Sequence, residues 1–123
     1  MNRWLVALLS LVAALTASAQ EASPLEGLWQ HPDQPVIIEM QPVGELMEGK
    51  VHSNSDKPES VGKTIFRELR YDKKEQCWQG WVYVKRLDEE KATCLSLDNP
   101  NRFRMTVKVG FFSKTVKWQR VEG

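Results

Sequence analysis

Gly27-Leu28-Trp29, near the start of the chain, and Trp118-Gln119-Arg120, near its end, decide the fold. The first stretch brings an indole in on an early strand. The second lays a guanidinium on a late one. Arg over the face of Trp is attractive, worth roughly 0.5–2 kcal/mol depending on desolvation. In an up-and-down sheet, first and last strands become neighbours when the sheet closes on itself, which also removes its unpaired edges. Gly27, Trp29 and Arg120 are therefore read as the closure of an antiparallel barrel.

Outward from these ends, strand signals dominate. Leu25–His31 is the first. Pro35 precedes Val36–Gln41, and Pro42-Val43-Gly44 reads as a turn. Glu45–Ser53 alternates, with Met47, Gly49 and Val51 on one face. Asn54–Gly62 reads as a polar surface loop. Thr64–Tyr71 fits two patterns: a short helical face through Ile65, Phe66 and Leu69, or a strand with Ile65, Arg67, Leu69 and Tyr71 on one side. The strand is preferred. Asp72-Lys73-Lys74-Glu75 turns into Cys77–Val84, the most aromatic strand. Leu87–Glu90 turns again, Lys91–Leu97 returns, and Asp98-Asn99-Pro100-Asn101 is a strong turn. In Arg102–Val109, Phe103, Met105, Val107 and Val109 point inward. Ser113–Val121 is last. The fold class is all-β: about eight strands in an antiparallel up-and-down barrel, with a two-sheet sandwich as the competitor.

Residues 1–19 read as a secretory signal peptide. Arg3 is the positive start, Trp4 to Leu15 the apolar run, and Ala17-Ser18-Ala19 the cleavage signal. The run is about 12 residues, short of the ~20 needed to span a bilayer. Residues 20–123 are then a single domain, periplasmic or secreted after cleavage near Ala19. No cysteine follows the cleavage site to carry a lipid, and no second apolar segment implies stable membrane insertion. The chain has 17 Lys and Arg against 16 Asp and Glu, and cleavage removes Arg3. The balanced remainder lacks the basic excess expected of a nucleic-acid binder.

Cys77 and Cys94 enter an oxidising compartment, where a disulfide is stable. A turn centred near Lys85–Arg86 sets them face to face. One at Asp88–Glu89 separates them beyond the 4.4–6.8 Å that a bridge requires, about six residues out of step. The sequence leaves both open.

Catalytic and metal chemistry finds little support. His31 and His52, with Asp33 or Asp56, lack metal-ligand spacing. No serine sits in a nucleophile elbow. Glu39, Glu48 and Glu68 fit solvated strand faces better than acid–base pairs. The expectation is a protein that is not an enzyme and uses no metal or cofactor.

The ends match the signature of lipocalin-like, or calycin, barrels: a Gly-x-Trp on the first strand and an Arg over it on the last. Over residues 25–121 the chain also resembles a small secreted bacterial family, domain of unknown function 2147. The resemblance rests on Gly27-Leu28-Trp29, Ile37-Ile38-Glu39, Glu48-Gly49-Lys50-Val51, Trp78-Gln79-Gly80-Trp81-Val82-Tyr83, and Val109-Gly110-Phe111-Phe112 through Arg120. It implies the barrel and no activity. The chain departs from it at Val84-Lys85-Arg86 and at Asn54–Pro58.

Six aromatics remain: Trp29, Trp78, Trp81, Tyr83, Phe103 and Trp118. Trp78 and Trp81 differ in parity, so only one faces inward without a bulge. Of Phe111 and Phe112, at least one is expected to fold back over a filled barrel end. The functional expectation is a binding domain taking a small apolar ligand inside, against Met47, Val107 and Trp78 or Trp81. Gly49 and Gly80 would leave it space or mark bends. The alternative is a solid barrel that binds a protein or envelope component from outside, as an inhibitor does.

Overall fold

Alternation of apolar and polar residues drives the chain into strands, because each strand must bury one face. The computed structural model describes residues 23–122, so the expected signal segment, 1–19, lies outside them. Eight strands follow in order: β1 (Gly27–Gln30), β2 (Val36–Val43), β3 (Leu46–Asn54), β4 (Thr64–Asp72), β5 (Cys77–Val84), β6 (Glu89–Asn99), β7 (Arg102–Val109) and β8 (Phe112–Val121). A short 3₁₀ turn, Pro58–Ser60, interrupts the β3–β4 connection. Each strand pairs antiparallel with the next, and β8 pairs back onto β1 to close an up-and-down barrel. The closing ladder sets Leu28 opposite Val121, Trp29 opposite Arg120 and Gln30 opposite Gln119. The sandwich is excluded.

At the seam the Arg120 guanidinium lies 4.3 Å above the Trp29 ring. It also donates to the carbonyl oxygens of Glu26 at 2.9 Å, Pro24 at 2.8 Å and Pro100 at 2.9 Å. One side chain thus ties the N-terminal segment, β1 and the β6–β7 turn together. The N-terminal segment plugs this end of the barrel: Leu25 is fully buried, and its carbonyl accepts the Trp29 indole N–H at 2.9 Å. Gly27 is required here. Its φ is +127°, and a Cβ would sit 2.7 Å from Arg120 Nη1.

Strand β4 explains why its sequence looks half helical. Register shifts between Arg67 and Arg70, and Glu68 has φ 55°. This bulge adds one residue, so Phe66 and Leu69 both turn inward at a spacing of three. The expected face through Ile65, Arg67, Leu69 and Tyr71 is corrected accordingly: it breaks at the bulge, where Phe66 turns inward and Arg67 lies outside over Trp81. Gly80 faces the bulge, where a Cβ would meet the Arg67 and Glu68 carbonyls at 2.7 and 2.9 Å. The space at Gly49 is taken by Met40 and Phe66. Both glycines therefore admit protein atoms, and the expectation that they leave room for a ligand is corrected.

The β5–β6 turn lies between the two positions considered. Val84 pairs with Glu89 and Gln79 with Cys94, so Cys77 is the diagonal neighbour of Cys94 on the same outer face. Their Cα atoms are 5.6 Å apart and the disulfide is formed. It straps β5 to β6 from outside the barrel.

Candidate functional site

Two ends of the barrel differ. One carries the turns β2–β3, β4–β5 and β6–β7 and the N-terminal plug. The other carries the loops β1–β2, β3–β4, β5–β6 and β7–β8. On β2, β3, β5, β7 and β8 the largest inward side chain sits at the first end and smaller ones follow toward the second. They run Met40, Ile38, Val36 on β2, and Met47, Gly49, Val51 on β3. They run Trp78, Gly80, Val82, Val84 on β5, and Phe103, Met105, Val107, Val109 on β7. The plugged end is consequently solid. Trp29 meets Phe103 edge-on at 4.8 Å, and Phe103 stacks on Trp118 at 6.0 Å. Leu25, Met40, Leu69 and Leu95 fill the gaps with no exposure.

The smaller side chains at the other end leave a cavity of about 850 Å³, open toward the four loops. Its walls are aliphatic: Ile38, Val51, Val82, Val107 and Val116 line it. Trp118 forms part of its lining, and its indole N–H is buried without an acceptor among the described residues. A buried donor of this kind is costly to leave unmade. The mouth is lined by Lys57, Lys63, Lys85, Arg86 and Lys114 and by Glu59, with Asp33, Asp56 and Asp88 on the same loops. Among the described residues no acidic group forms a salt bridge with any of these five cations.

His31 is the titratable group set deepest at this rim. Its ring stands edge-on to Trp118 at 5.0 Å. Its Nδ1 accepts the backbone N–H of Asp33 at 3.0 Å and of Gln34 at 3.2 Å. Those two donors require Nδ1 to be unprotonated, so the proton of the neutral ring sits on Nε2. Burial pulls the imidazole below its usual pKa; Asp33 opposes this and Lys114 adds to it.

The sequence-predicted ligand residues separate. Val107 lines the cavity. Met47 and Trp78 point inward but belong to the solid end, opposite Leu69 and beside Tyr71 respectively. Large side chains there pack against each other and leave no room, which corrects their expected place beside a ligand. Trp81 is outside and 40% exposed, beneath the Arg67 guanidinium at 5.6 Å. It borders a shallow outer depression between β4 and β5. Phe111 and Phe112 are both exposed, so the expected filled end is also corrected. His52 is on the outer face near Glu39, and Glu48 pairs with Lys50 there. Among the described residues no three His, Cys, Asp or Glu side chains cluster as metal ligands, and no helix is long and apolar enough to cross a membrane.

The residues missed were Ile38, Val51, Val82, Val116 and Trp118. The signal for the four aliphatic residues was the size pattern: β2, β3, β5 and β8 each place a large inward residue at the plugged end and isoleucine or valine toward the other. Comparisons with protein-family models, with curated proteins and with solved structures found no match to this chain.

Proposed function

We propose that this is a non-enzymatic binding domain of the periplasm or the extracellular space that takes a small apolar ligand into the open half of its barrel. The cavity carries the reading. Its volume of about 850 Å³ falls within the roughly 300–1,000 Å³ of ordinary ligand sites, and its wall is aliphatic. Export is supported by the signal-like N-terminus and by the disulfide, which suits an oxidising compartment. The best-fitting ligand has an apolar body reaching Trp118 and a polar or anionic end among the lysines of the mouth. Burial of ~10–15 heavy atoms gives micromolar affinity at ordinary ligand efficiency.

Titration with the neutral fluorophore N-phenyl-1-naphthylamine tests the reading. Saturable, micromolar enhancement is expected, and it should survive Trp81→Ala because that indole is outside the barrel. Absence of saturable binding would overturn it. Loss of binding on Trp81→Ala would favour the alternative, a barrel acting through its exterior, for which the exposed Trp81 and the depression beside it are the supporting observation.

A further inference from the structure

The tip of the β7–β8 hairpin is apolar and unprotected. Phe111 is fully exposed and Phe112 is 69% exposed. Gly110, at φ 65°, turns the chain there, so the pair is presented at the apex of the connection. The neighbouring β5–β6 turn carries Leu87, 40% exposed. Packing inside the barrel explains neither Phe, and Leu87 stands at the edge of the cavity mouth.

The β7–β8 turn is basic, and the β5–β6 turn carries charges of both signs. Lys85 and Arg86 precede Leu87, while Lys108 and Lys114 flank the Phe pair. The nearby carboxylates are Asp88, Glu89 and Glu90, and Glu90 pairs with Arg67. Asp88 accepts the Tyr83 hydroxyl at 2.7 Å, and Glu89 pairs with Lys91 at 2.8 Å. Farther round the rim, Asp33, Asp56, Glu59, Lys57 and Lys63 bring charges of both signs. The apolar tip and the cation excess therefore coincide on one side of the open end.

We infer that this side of the barrel docks on an anionic lipid bilayer, with Phe111, Phe112 and Leu87 entering the headgroup boundary and Lys85, Arg86, Lys108 and Lys114 facing lipid phosphates. Short apolar insertion combined with basic residues is the pattern of interfacial binding. Each cation near an anionic leaflet contributes about fivefold in affinity at physiological salt. The exposed rings favour a lipid surface over free phosphate, which would engage the cations alone. Docking here also brings the mouth of the cavity to the membrane. The inference goes beyond the ligand reading and stands without it.

Co-sedimentation with large vesicles decides it, using phosphatidylglycerol–phosphatidylethanolamine mixtures against pure phosphatidylcholine. Wild-type protein should sediment with the anionic vesicles and weakly with the neutral ones. Phe111→Ser with Phe112→Ser should lower partitioning at least about tenfold, as removal of two inserted rings implies. Lys85→Gln, Arg86→Gln and Lys114→Gln together should lower it further and weaken its dependence on salt. All these positions are exposed, and unchanged thermal melts will show that the variants fold. Equal sedimentation of wild type and the Phe variant overturns the proposal. So does failure of the wild type to bind anionic vesicles at low salt. Sedimentation velocity supplies the remaining arm: a wild-type dimer that becomes monomeric in the Phe variant would assign the patch to a second copy instead.

Discussion

Removing the guanidinium of Arg120 uncovers the Trp29 indole and leaves the Pro24, Glu26 and Pro100 carbonyls without their donor. Arg120→Ala should cost ~2–4 kcal/mol in urea unfolding, from lost cation–π cover and charge-assisted hydrogen bonds. Arg120→Lys should recover little, because an ammonium cannot reproduce the planar fork that reaches several acceptors. Full recovery by Lys would reduce the residue to a point charge. His31 gives a pH dependence with a definite sign. Its folded pKa lies below the unfolded value of 6.5 because burial disfavours the imidazolium. Below pH 6.5 the unfolded chain therefore binds more protons than the folded one at this site. Its contribution to stability is complete above pH 6.5 and is lost as pH falls through the folded value. Wild type should thus lose more stability than His31→Gln between pH 7 and 5, and NMR titration of the ring should place its midpoint below 6.5. A His31 midpoint above 6.5 would contradict the buried, neutral ring.

At the scale of the element, two features hold β4, β5 and β6 in register: the bulge facing Gly80 and the Cys77–Cys94 bridge. Gly80→Ala drives a Cβ into the Arg67 and Glu68 carbonyls and should destabilise by ~1–3 kcal/mol, as overpacking does. The bridge spans a sequence separation of 17. Its loss in Cys77→Ala with Cys94→Ala should cost up to ~3 kcal/mol on the chain-entropy model. Thiol titration of denatured, unreduced exported protein should find no free thiol; two free thiols would refute the bridge. The strands were largely legible because β3 and β7 keep a two-residue period. β4 was not, because a bulge inserts a residue and makes Phe66 and Leu69 imitate a helical spacing. The bridge was undecided for a similar reason: a shift of one or two residues in the β5–β6 turn separates facing cysteines from distant ones, and Leu87–Glu90 and Lys85–Asp88 are equally polar as turns.

Across the whole molecule, the barrel divides into a solid half and a hollow half. The seam residues Gly27, Trp29 and Arg120 were legible because few arrangements bring chain ends so far apart in sequence together. The hollow was not, because an inward valine beside a void has the same neighbours in sequence as one in a packed core. Aromatic richness pointed to Trp78, yet large rings close space, and the cavity lies where valines replace them. Filling it should be tolerated by the fold: Val107→Trp is expected to unfold at nearly the wild-type urea midpoint. A comparable enlargement in the solid half, Leu95→Trp, should cost ~1–3 kcal/mol or more.

The most direct test is methyl and indole NMR during titration with N-phenyl-1-naphthylamine. The predicted shifts concentrate on the Val51, Val82, Val107 and Val116 methyls and on the Trp118 indole, and they disappear in Val107→Trp. Shifts centred instead on Met47 and Trp78, or on Trp81, would contradict the division into a solid half and a hollow, ligand-binding half.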